Sequence, residues 1–164
     1  MASHSLEKLP NPPSLVQYKD MKFLIFDSPN DNNLAQYISV FKSHNVTHIV
    51  RTCEPTYSKQ TLEKEGFQFF DLEYTDGGQP PDEIIEAWKV VVKKARQENG
   101  CVGVHCVAGL GRAPVLVAVM LIESGMEPLA AVDYIRKQRR GAINAQQLRY
   151  IRNYKPSGKG CSIQ

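Results

Sequence analysis

The feature that most constrains the fold is a strand-like run followed by a short glycine-containing turn and a long apolar helix-like run. The strand-like run covers residues 101–105, and the apolar run covers residues 113–124. Both runs hold few polar residues, so both have to be covered by other elements of a core. The pair predicts an α/β fold, in which a central, mostly parallel sheet is flanked by helices on both faces.

The spacing of apolar residues places the other elements. Strands are predicted over residues 15–18, 21–26, 46–51 and 67–72 in addition to 101–105. Helices are predicted over residues 34–44, 59–65, 82–97, 113–124, 128–139 and 145–154. We expect residues 14–155 to form one domain, between a flexible lead-in at 1–13 and a flexible polar tail at 156–164.

Two features bear on where the protein works. The longest strongly apolar run is far shorter than the roughly 20 residues that a membrane-spanning helix needs. The first residues show no basic segment followed by an apolar one, so no secretory signal is predicted and a cytoplasmic location is expected. The four cysteines contain no CxxC pair and no histidine at ligand spacing, which predicts no zinc site.

The net charge of +3 hides an asymmetry between the two parts of the chain. Residues 1–100 carry 11 Lys/Arg and 14 Asp/Glu, whereas residues 101–164 carry 9 and 3. An anionic partner (phosphate, anionic lipid or acidic protein) is therefore expected at the C-terminal part. The basic run 136–140 has no interleaved aromatics and no nucleic-acid signature, so nucleic acid is not expected. A solvated helix face is the alternative interpretation of this run.

The turn between the buried strand and the apolar helix carries the chemistry. Cys106 leaves the carboxyl end of a strand, which is where ligands bind in open α/β sheets. Glycines in the turn can adopt positive φ and direct amide N–H groups at an oxyanion. Arg112 stands at the helix start, where its guanidinium can hold two phosphoryl oxygens and the helix N-terminus favours a Cys106 thiolate.

These observations predict a phosphate-binding loop with Cys106 as nucleophile. Its binding residues are Val107, Ala108, Gly109, Leu110, Gly111 and Arg112. The alternative is a core pair, Cys101 and Cys106, before an ordinary glycine turn, but it gives Arg112 no purpose. A dinucleotide-binding loop is disfavoured because this turn holds only a lone GxG.

A thiolate that attacks a phosphate monoester needs a general acid for the departing oxygen. Asp76 is the leading candidate, because it lies 30 residues before Cys106 in a Gly/Pro-rich segment suited to a mobile flap. Asp71 and Glu73 are competing candidates, and the Asp-Gly step at position 76 also has the simpler interpretation of a turn former.

The segment His105-Cys106-x5-Arg112 resembles the signature of the cysteine-dependent protein tyrosine and dual-specificity phosphatases. Over residues 105–118 the sequence resembles, more narrowly, the PRL phosphatases (phosphatases of regenerating liver, or protein tyrosine phosphatase type IVA). Further stretches that match this family are residues 21–25, 63–66, 136–142 and 161–164. The resemblance covers about residues 15–155 and the last four residues.

The resemblance implies the dual-specificity/protein tyrosine phosphatase fold and slow hydrolysis of phosphomonoesters through a phosphocysteine, without metal or cofactor. It favours Asp76 as the acid and implies a phosphorylated protein or phosphoinositide as substrate. As an alternative function, the pocket would bind a cyclin M type magnesium transporter and be switched by phosphorylation or oxidation of Cys106. Self-association is also known in the family and is left open.

Ala113 stands where most tyrosine phosphatases have Ser or Thr after the arginine. A hydroxyl there can stabilise the departing cysteine thiolate, and alanine cannot. Losing one good donor to developing charge can cost roughly 3 kcal/mol, or about a hundredfold in rate. We therefore expect fast formation and slow hydrolysis of the phosphocysteine, although Ala113 is also simply a good helix former.

The resemblance assigns roles to two further cysteines. A cysteine at the position of Cys53 forms a reversible disulfide with the nucleophile, whereas the residues alone favour a buried small side chain. Cys161 is fourth from the end, the spacing of a prenylation box, and Gln164 favours farnesyl. A prenylated fraction is therefore expected on the cytoplasmic face of plasma or endosomal membranes, with an unmodified tail cysteine as the alternative.

Three more residues are interpreted from their position. Gln147, next to Gln146, is a candidate for positioning the attacking water, with capping or solvent exposure as equal alternatives. Ile143 stands where animal PRL phosphatases have an aromatic residue, which predicts a different pocket rim. Cys101 is expected to be a core residue.

Overall fold

The computed structural model describes residues 9 and 11–156. Its strands are β1 (Ser14–Tyr18), β2 (Met21–Phe26), β3 (Val46–Arg51), β4 (Gln68–Asp71) and β5 (Cys101–His105). Its helices are α1 (Leu34–Ser43), α2 (Lys59–Lys64), α3 (Asp82–Gln97), α4 (Arg112–Glu123), α5 (Pro128–Gln138) and α6 (Ala145–Arg152). No helix in this part of the chain is long and apolar enough to cross a membrane.

The strands form one sheet in the order β1-β2-β5-β3-β4. β1 is antiparallel to β2 at one edge, and the other neighbours are parallel. This confirms the predicted α/β fold with a mostly parallel sheet. Because β5 lies between β2 and β3, the segments that follow these three strands emerge side by side at one edge of the sheet.

Two hydrophobic clusters cover the two faces of the sheet. The larger one surrounds α4, whose residues 112–122 are all buried, and it includes Trp88, whose indole N–H donates to the Leu116 carbonyl at 2.7 Å. The smaller one packs α1 and α2 around Phe26 and Phe41, whose ring centroids are 4.9 Å apart. Burial of α4 on all sides explains why its sequence has no polar face.

The predicted boundaries hold for β2, β3, β5 and α3, and the other ends differ by one or two residues. β4 starts at Gln68 because the amide of Phe67 donates to the Leu62 carbonyl and closes α2 instead. α6 ends at Arg152 because the Asn153 side chain bonds the Arg149 carbonyl.

Part of the predicted lead-in packs against the domain. Leu9 is buried in the smaller cluster, and the Pro12 carbonyl accepts a hydrogen bond from the Arg139 side chain. At the other end, Cys161 and the rest of residues 157–164 lie outside the described residues. Prenylation of Cys161 therefore stays a prediction.

Candidate active site

Cys106 directly follows β5, and residues 107–111 wrap over it before α4 begins at Arg112. Its residue surface is 3% exposed, at one side of a pocket of about 320 Å³. The pocket is also lined by Asp76, Arg112 and Gln147. The structure thus brings together the predicted nucleophile, phosphate-binding arginine, acid and water-positioning candidate.

The carbonyl groups of five consecutive loop residues accept hydrogen bonds from outside the pocket. They are Val107 (from the Ser28 amide, 2.9 Å), Ala108 and Gly109 (from the Arg139 guanidinium, 3.2 and 2.9 Å), Leu110 (from the Ile143 amide, 2.7 Å) and Gly111 (from the Val115 amide, 3.0 Å). In a planar trans peptide the N–H points opposite to the C=O. The amides of residues 108–112 are therefore directed to the other side, which forms a nest for an oxyanion.

The two glycines of the loop serve different purposes. Gly109 has φ +70°, and a Cβ there would lie 2.6 Å from an Arg139 nitrogen. Gly111 has φ −126°, but a Cβ there would lie 2.9 Å from the Gln147 amide nitrogen and 3.3 Å from an Asp76 oxygen. The expected positive φ therefore applies to Gly109, whereas a side chain at Gly111 would displace the ends of Gln147 and Asp76.

The Arg112 side chain is buried and anchored through one nitrogen. Nη1 donates to the carbonyls of Thr52 and Tyr74 at 3.2 and 3.1 Å, and the Tyr74 hydroxyl donates to the Arg112 carbonyl at 2.9 Å. Nε has no hydrogen-bond partner within the described residues and lies 3.6 Å from Asp76 Oδ1. The guanidinium is thus fixed in place while one buried N–H is directed at the pocket, where a phosphoryl oxygen would satisfy it.

His105 holds the backbone at Cys106. Its Nδ1 lies 3.0 Å from the Cys106 carbonyl, which can only accept, so Nδ1 is the donor. Its Nε2 lies 2.7 Å from the Tyr57 hydroxyl, which is therefore the donor in that bond. Burial lowers the pKa of His105 to about 4, which keeps the ring neutral at pH 7. No sequence pattern singles out Tyr57, because its partner His105 lies 48 positions away.

Of the three carboxyl groups that the sequence left open as the acid, only Asp76 lines the pocket. Its side chain is 71% exposed on the segment between β4 and α3. Asp71 instead makes two hydrogen bonds to the Arg51 guanidinium, at 2.8 and 2.7 Å, and is the last residue of β4. Glu73 is exposed.

The known proteins that this chain resembles agree with the geometry of the pocket. Residues 29–156 match the family model of the dual specificity phosphatase catalytic domain. A probable protein tyrosine phosphatase type IVA A of Dictyostelium discoideum is 52% identical over 158 residues, which cover 94% of this chain and 95% of the relative. The PRL-1 phosphatase of Drosophila melanogaster is 48% identical and covers 93% of both chains. The chain belongs to the PRL (type IVA) family of protein tyrosine phosphatases.

A solved structure supports the fold of this PRL phosphatase. A protein tyrosine phosphatase of Leishmania major superposes with a TM-score of 0.79 at 36% identity, covering 87% of this chain and 98% of that one. The predicted dual-specificity/protein tyrosine phosphatase fold is confirmed. The protein is thus an enzyme, a hydrolase that acts on phosphorylated protein.

The other two described cysteines differ in position. Cys53 is the second residue after β3, with Sγ 3.9 Å from His105 Nδ1 and 4.0 Å from the Ser28 hydroxyl. It is fully buried, and burial is the largest cause that raises the pKa of its thiol. Cys101 lies within β5, where burial raises its thiol pKa to about 12. Cys101 is a core residue, as predicted.

Gln147 both caps α6 and faces the pocket. Its side-chain oxygen accepts from the Asn144 amide at 2.9 Å, while its own amide donates to the Asn144 side chain at 2.8 Å. These bonds leave the side-chain nitrogen directed at Gly111. Gln146 is exposed and does not line this pocket.

Two residues at this end of the chain have positions that the sequence around them does not indicate. Ile143 does not form the pocket rim, because it is 2% exposed with its side chain in the core and contacts the loop only through its amide. In the basic run 136–140, residues 136–138 and 140 are exposed, as in a solvated face, whereas Arg139 is 6% exposed beneath the phosphate loop. No signal in a single sequence separates Arg139 from the exposed Arg140 beside it.

No group of three or more His, Cys, Asp or Glu side chains that could hold a metal ion occurs among residues 9 and 11–156. The positive charge at the pocket comes from Arg112, the loop amides and the N-terminus of α4.

Proposed function

We propose that this PRL phosphatase hydrolyses phosphomonoesters through a phosphocysteine formed on Cys106. The observation that carries the proposal is the outward hydrogen bonding of five consecutive loop carbonyls around Cys106, together with the buried Arg112 N–H. A phosphoryl group bound by these donors would have its phosphorus next to the Cys106 sulfur. Positioning and preorganised positive charge supply most of the rate enhancement in phosphoryl transfer.

The reaction has two steps in this proposal. In the first, the Cys106 thiolate attacks phosphorus, the bond to the leaving oxygen breaks, and Asp76 donates its proton to that oxygen. In the second, water attacks the phosphocysteine, Asp76 accepts a proton from the water, and the P–S bond breaks to release phosphate and the Cys106 thiolate. The Gln147 side-chain nitrogen, which faces Gly111, is placed to orient that water.

Ala113 makes the second step slow. It directly follows Arg112 in the first turn of α4 and is fully buried in the same cluster as Cys106. Its methyl group donates no hydrogen bond to the thiolate that departs in this step. The phosphocysteine is therefore expected to accumulate during turnover.

Cys53 is proposed as the redox partner of Cys106. Both residues follow neighbouring parallel strands, and Cys53 lies against His105, the residue before the nucleophile. Peroxide oxidises Cys106 to a sulfenic acid, and the Cys53 thiol displaces water from it to form the disulfide. Mass mapping after peroxide treatment should find a Cys53–Cys106 link, which Cys101→Ser keeps and Cys53→Ser removes.

The remaining expectations stay predictions. They are a phosphoinositide as a further substrate, prenylation of Cys161, a cytoplasmic location with a membrane-bound fraction, and self-association. The alternative function, regulation of a cyclin M type magnesium transporter, is not supported by the relatives, whose names are those of phosphatases.

The phosphocysteine can be tested by mass spectrometry. The reduced full chain is mixed with an aryl phosphate, quenched in acid within the first turnover, and digested. One phosphoryl group on the Cys106 peptide is expected, and the Cys101→Ser variant should give the same result. A phosphoryl group on another residue, or none during active turnover, would contradict the proposal.

A further inference from the structure

We infer that Arg139 is a positioning residue of the phosphate loop, and that Asp27 and the segment 11–14 complete the support that it gives. The inference rests on the proposed function, because it concerns the same oxyanion-binding loop. Arg139 does not line the pocket that contains Cys106, so its effect passes through the loop backbone.

Arg139 orients two peptide groups from beneath the loop. Its Nε donates to the Gly109 carbonyl at 2.9 Å, and its Nη2 donates to the Ala108 carbonyl at 3.2 Å. The N–H groups of these two peptides belong to Gly109 and Leu110 and point the opposite way. One guanidinium therefore sets the direction of two of the amides that form the nest.

The guanidinium is itself held by two other segments, residues 11–14 and residues 25–27. Nη2 pairs with Asp27 Oδ1 at 2.7 Å, just past the end of β2. Nη1 donates to the Pro12 carbonyl, the Ser14 hydroxyl and the Ile25 carbonyl at 3.1, 3.0 and 3.3 Å. The Asn11 side chain adds a hydrogen bond to the second Asp27 oxygen at 2.9 Å.

The Arg139 guanidinium lies directly against the backbone of the loop at Gly109. A Cβ at Gly109 would lie 2.6 Å from Arg139 Nη2 and 3.0 Å from its Nε. A shift of the guanidinium therefore moves the Gly109 backbone. Only the planar five-donor fork of arginine reaches all these acceptors, because lysine presents its three donors at a single point.

Arg140 offers a matched control. It is the next residue and carries the same charge, but it is exposed and makes no hydrogen bond or ion pair within the described part of the chain. Arg139→Lys and Arg140→Lys are thus the same substitution, with and without a change beneath the loop. Asp27→Asn is a milder third variant that keeps Arg139 and removes the charge that holds it.

The test measures the Kd for tungstate, an unreactive oxyanion, by calorimetry on the reduced full chain, with the melting temperature of each variant as a second reading. We expect Arg139→Lys to raise Kd by about tenfold and Asp27→Asn by about threefold, because two amide donors lose their alignment. KM for an aryl phosphate should rise with Kd, and Arg140→Lys should leave both unchanged.

A purely structural role would lower the melting temperature and leave the Kd of the folded protein unchanged. Tungstate binding by folded Arg139→Lys equal to that of the wild type therefore overturns the inference and leaves the proposed function intact. If Arg139→Lys does not fold, Asp27→Asn decides: weaker binding supports the inference and unchanged binding overturns it. A wild-type protein that does not bind tungstate would overturn the proposed function as well.

Discussion

The two segments that meet over the pocket are held very differently. In the phosphate loop, residues 107–111 have every carbonyl hydrogen-bonded from outside the pocket. In the segment between β4 and α3, here called the acid segment, the Asp76 side chain at the tip is 71% exposed, and its nearest charged group is Arg112 Nε at 3.6 Å. The phosphate-binding part of the site is thus preorganised, whereas Asp76, the proposed proton donor, lies on a segment with few constraints.

The acid segment is nevertheless tied to the binding site at its base. Tyr74 is buried, and its carbonyl and hydroxyl both bond Arg112. The tip beyond it is closed by a turn in which the Gly78 amide donates to the Thr75 carbonyl at 3.2 Å. Changes in the loop should therefore affect binding and chemistry together, and changes at the tip should affect proton transfer alone.

The largest effect is expected at Arg112, in the preorganised phosphate-binding part of the site. Arg112→Lys replaces a fork anchored by two carbonyls with a single point charge, so kcat/KM should fall by about a thousandfold. Tungstate affinity should fall with it. Arg140→Lys, the same substitution at an exposed arginine, is the control in the same assay. A loss below about tenfold would contradict the role given to Arg112.

The buried residue His105, which precedes Cys106, should make the free energy of unfolding depend on pH. An unfolded histidine titrates near 6.5, whereas burial lowers the pKa of His105 to about 4. As the pH falls, the unfolded state takes up the proton first. Stability from neutral His105 is therefore complete above about pH 6.5 and is lost between about pH 6.5 and 4, by up to about 3 kcal/mol.

Urea unfolding between pH 7 and pH 4.5 measures this loss. Carboxyl groups contribute to the pH dependence in any variant, so the relevant quantity is the difference between the wild type and His105→Asn. The variant should lose less stability over this range. His48→Asn, which removes another buried histidine with a lowered pKa, separates the two contributions. Equal pH dependence in the wild type and His105→Asn would contradict the assignment.

A change confined to Asp76, on the segment between β4 and α3, sharpens the comparison between the two segments. Asp76→Asn should lower kcat/KM by about a hundredfold for phenyl phosphate, because kcat/KM reports the first step, in which the departing oxygen then needs a proton from water. A nitro-substituted aryl phosphate, whose oxygen leaves without help, should be affected much less. Tungstate affinity should stay close to that of the wild type. Glu73→Gln, on the same segment, is the matched control, and an equal loss there would remove Asp76 from its role.

The smallest effect is expected at Ala113. Ala113→Ser places a hydroxyl after Arg112, where it can stabilise the departing thiolate, so steady-state turnover should rise by about tenfold, short of the roughly hundredfold effect of an optimally placed donor. The rate of the first step should stay the same, because that thiolate departs only in the second. Ala118→Ser, in the same buried helix, is the control for an added hydroxyl. Unchanged turnover in Ala113→Ser would count against the explanation of slow hydrolysis.

Much of this architecture could be predicted from local patterns. β3, β5 and α3 have their predicted bounds because period and flanking turn residues act within a few positions of each other. Cys106 and Arg112 were predictable for the same reason, since a strand, a glycine turn and a helix start are local features. The prediction of Asp76 as the acid required the family resemblance as well, because Asp76 and Arg112 lie on different segments and no local pattern relates them.

The parts that sequence reasoning missed depend on contacts between distant segments. Arg139 belongs to a charge run that is typical of a solvated helix, yet it is buried by contacts with residues more than a hundred positions away. Ile143 has φ +69°, which turns its amide to the loop and its side chain into the core. Neither the burial of a charge nor a positive φ at a β-branched residue follows from local preference.

The measurement that tests the central claim most directly is rapid mixing of the reduced protein with an aryl phosphate, followed through the first turnover into the steady state. A preorganised loop around Cys106 and a missing donor at Ala113 predict a burst of about one equivalent of product and then slow release. Cys106→Ser should show neither phase. Linear product formation without a burst, or a burst that survives in Cys106→Ser, would contradict the account.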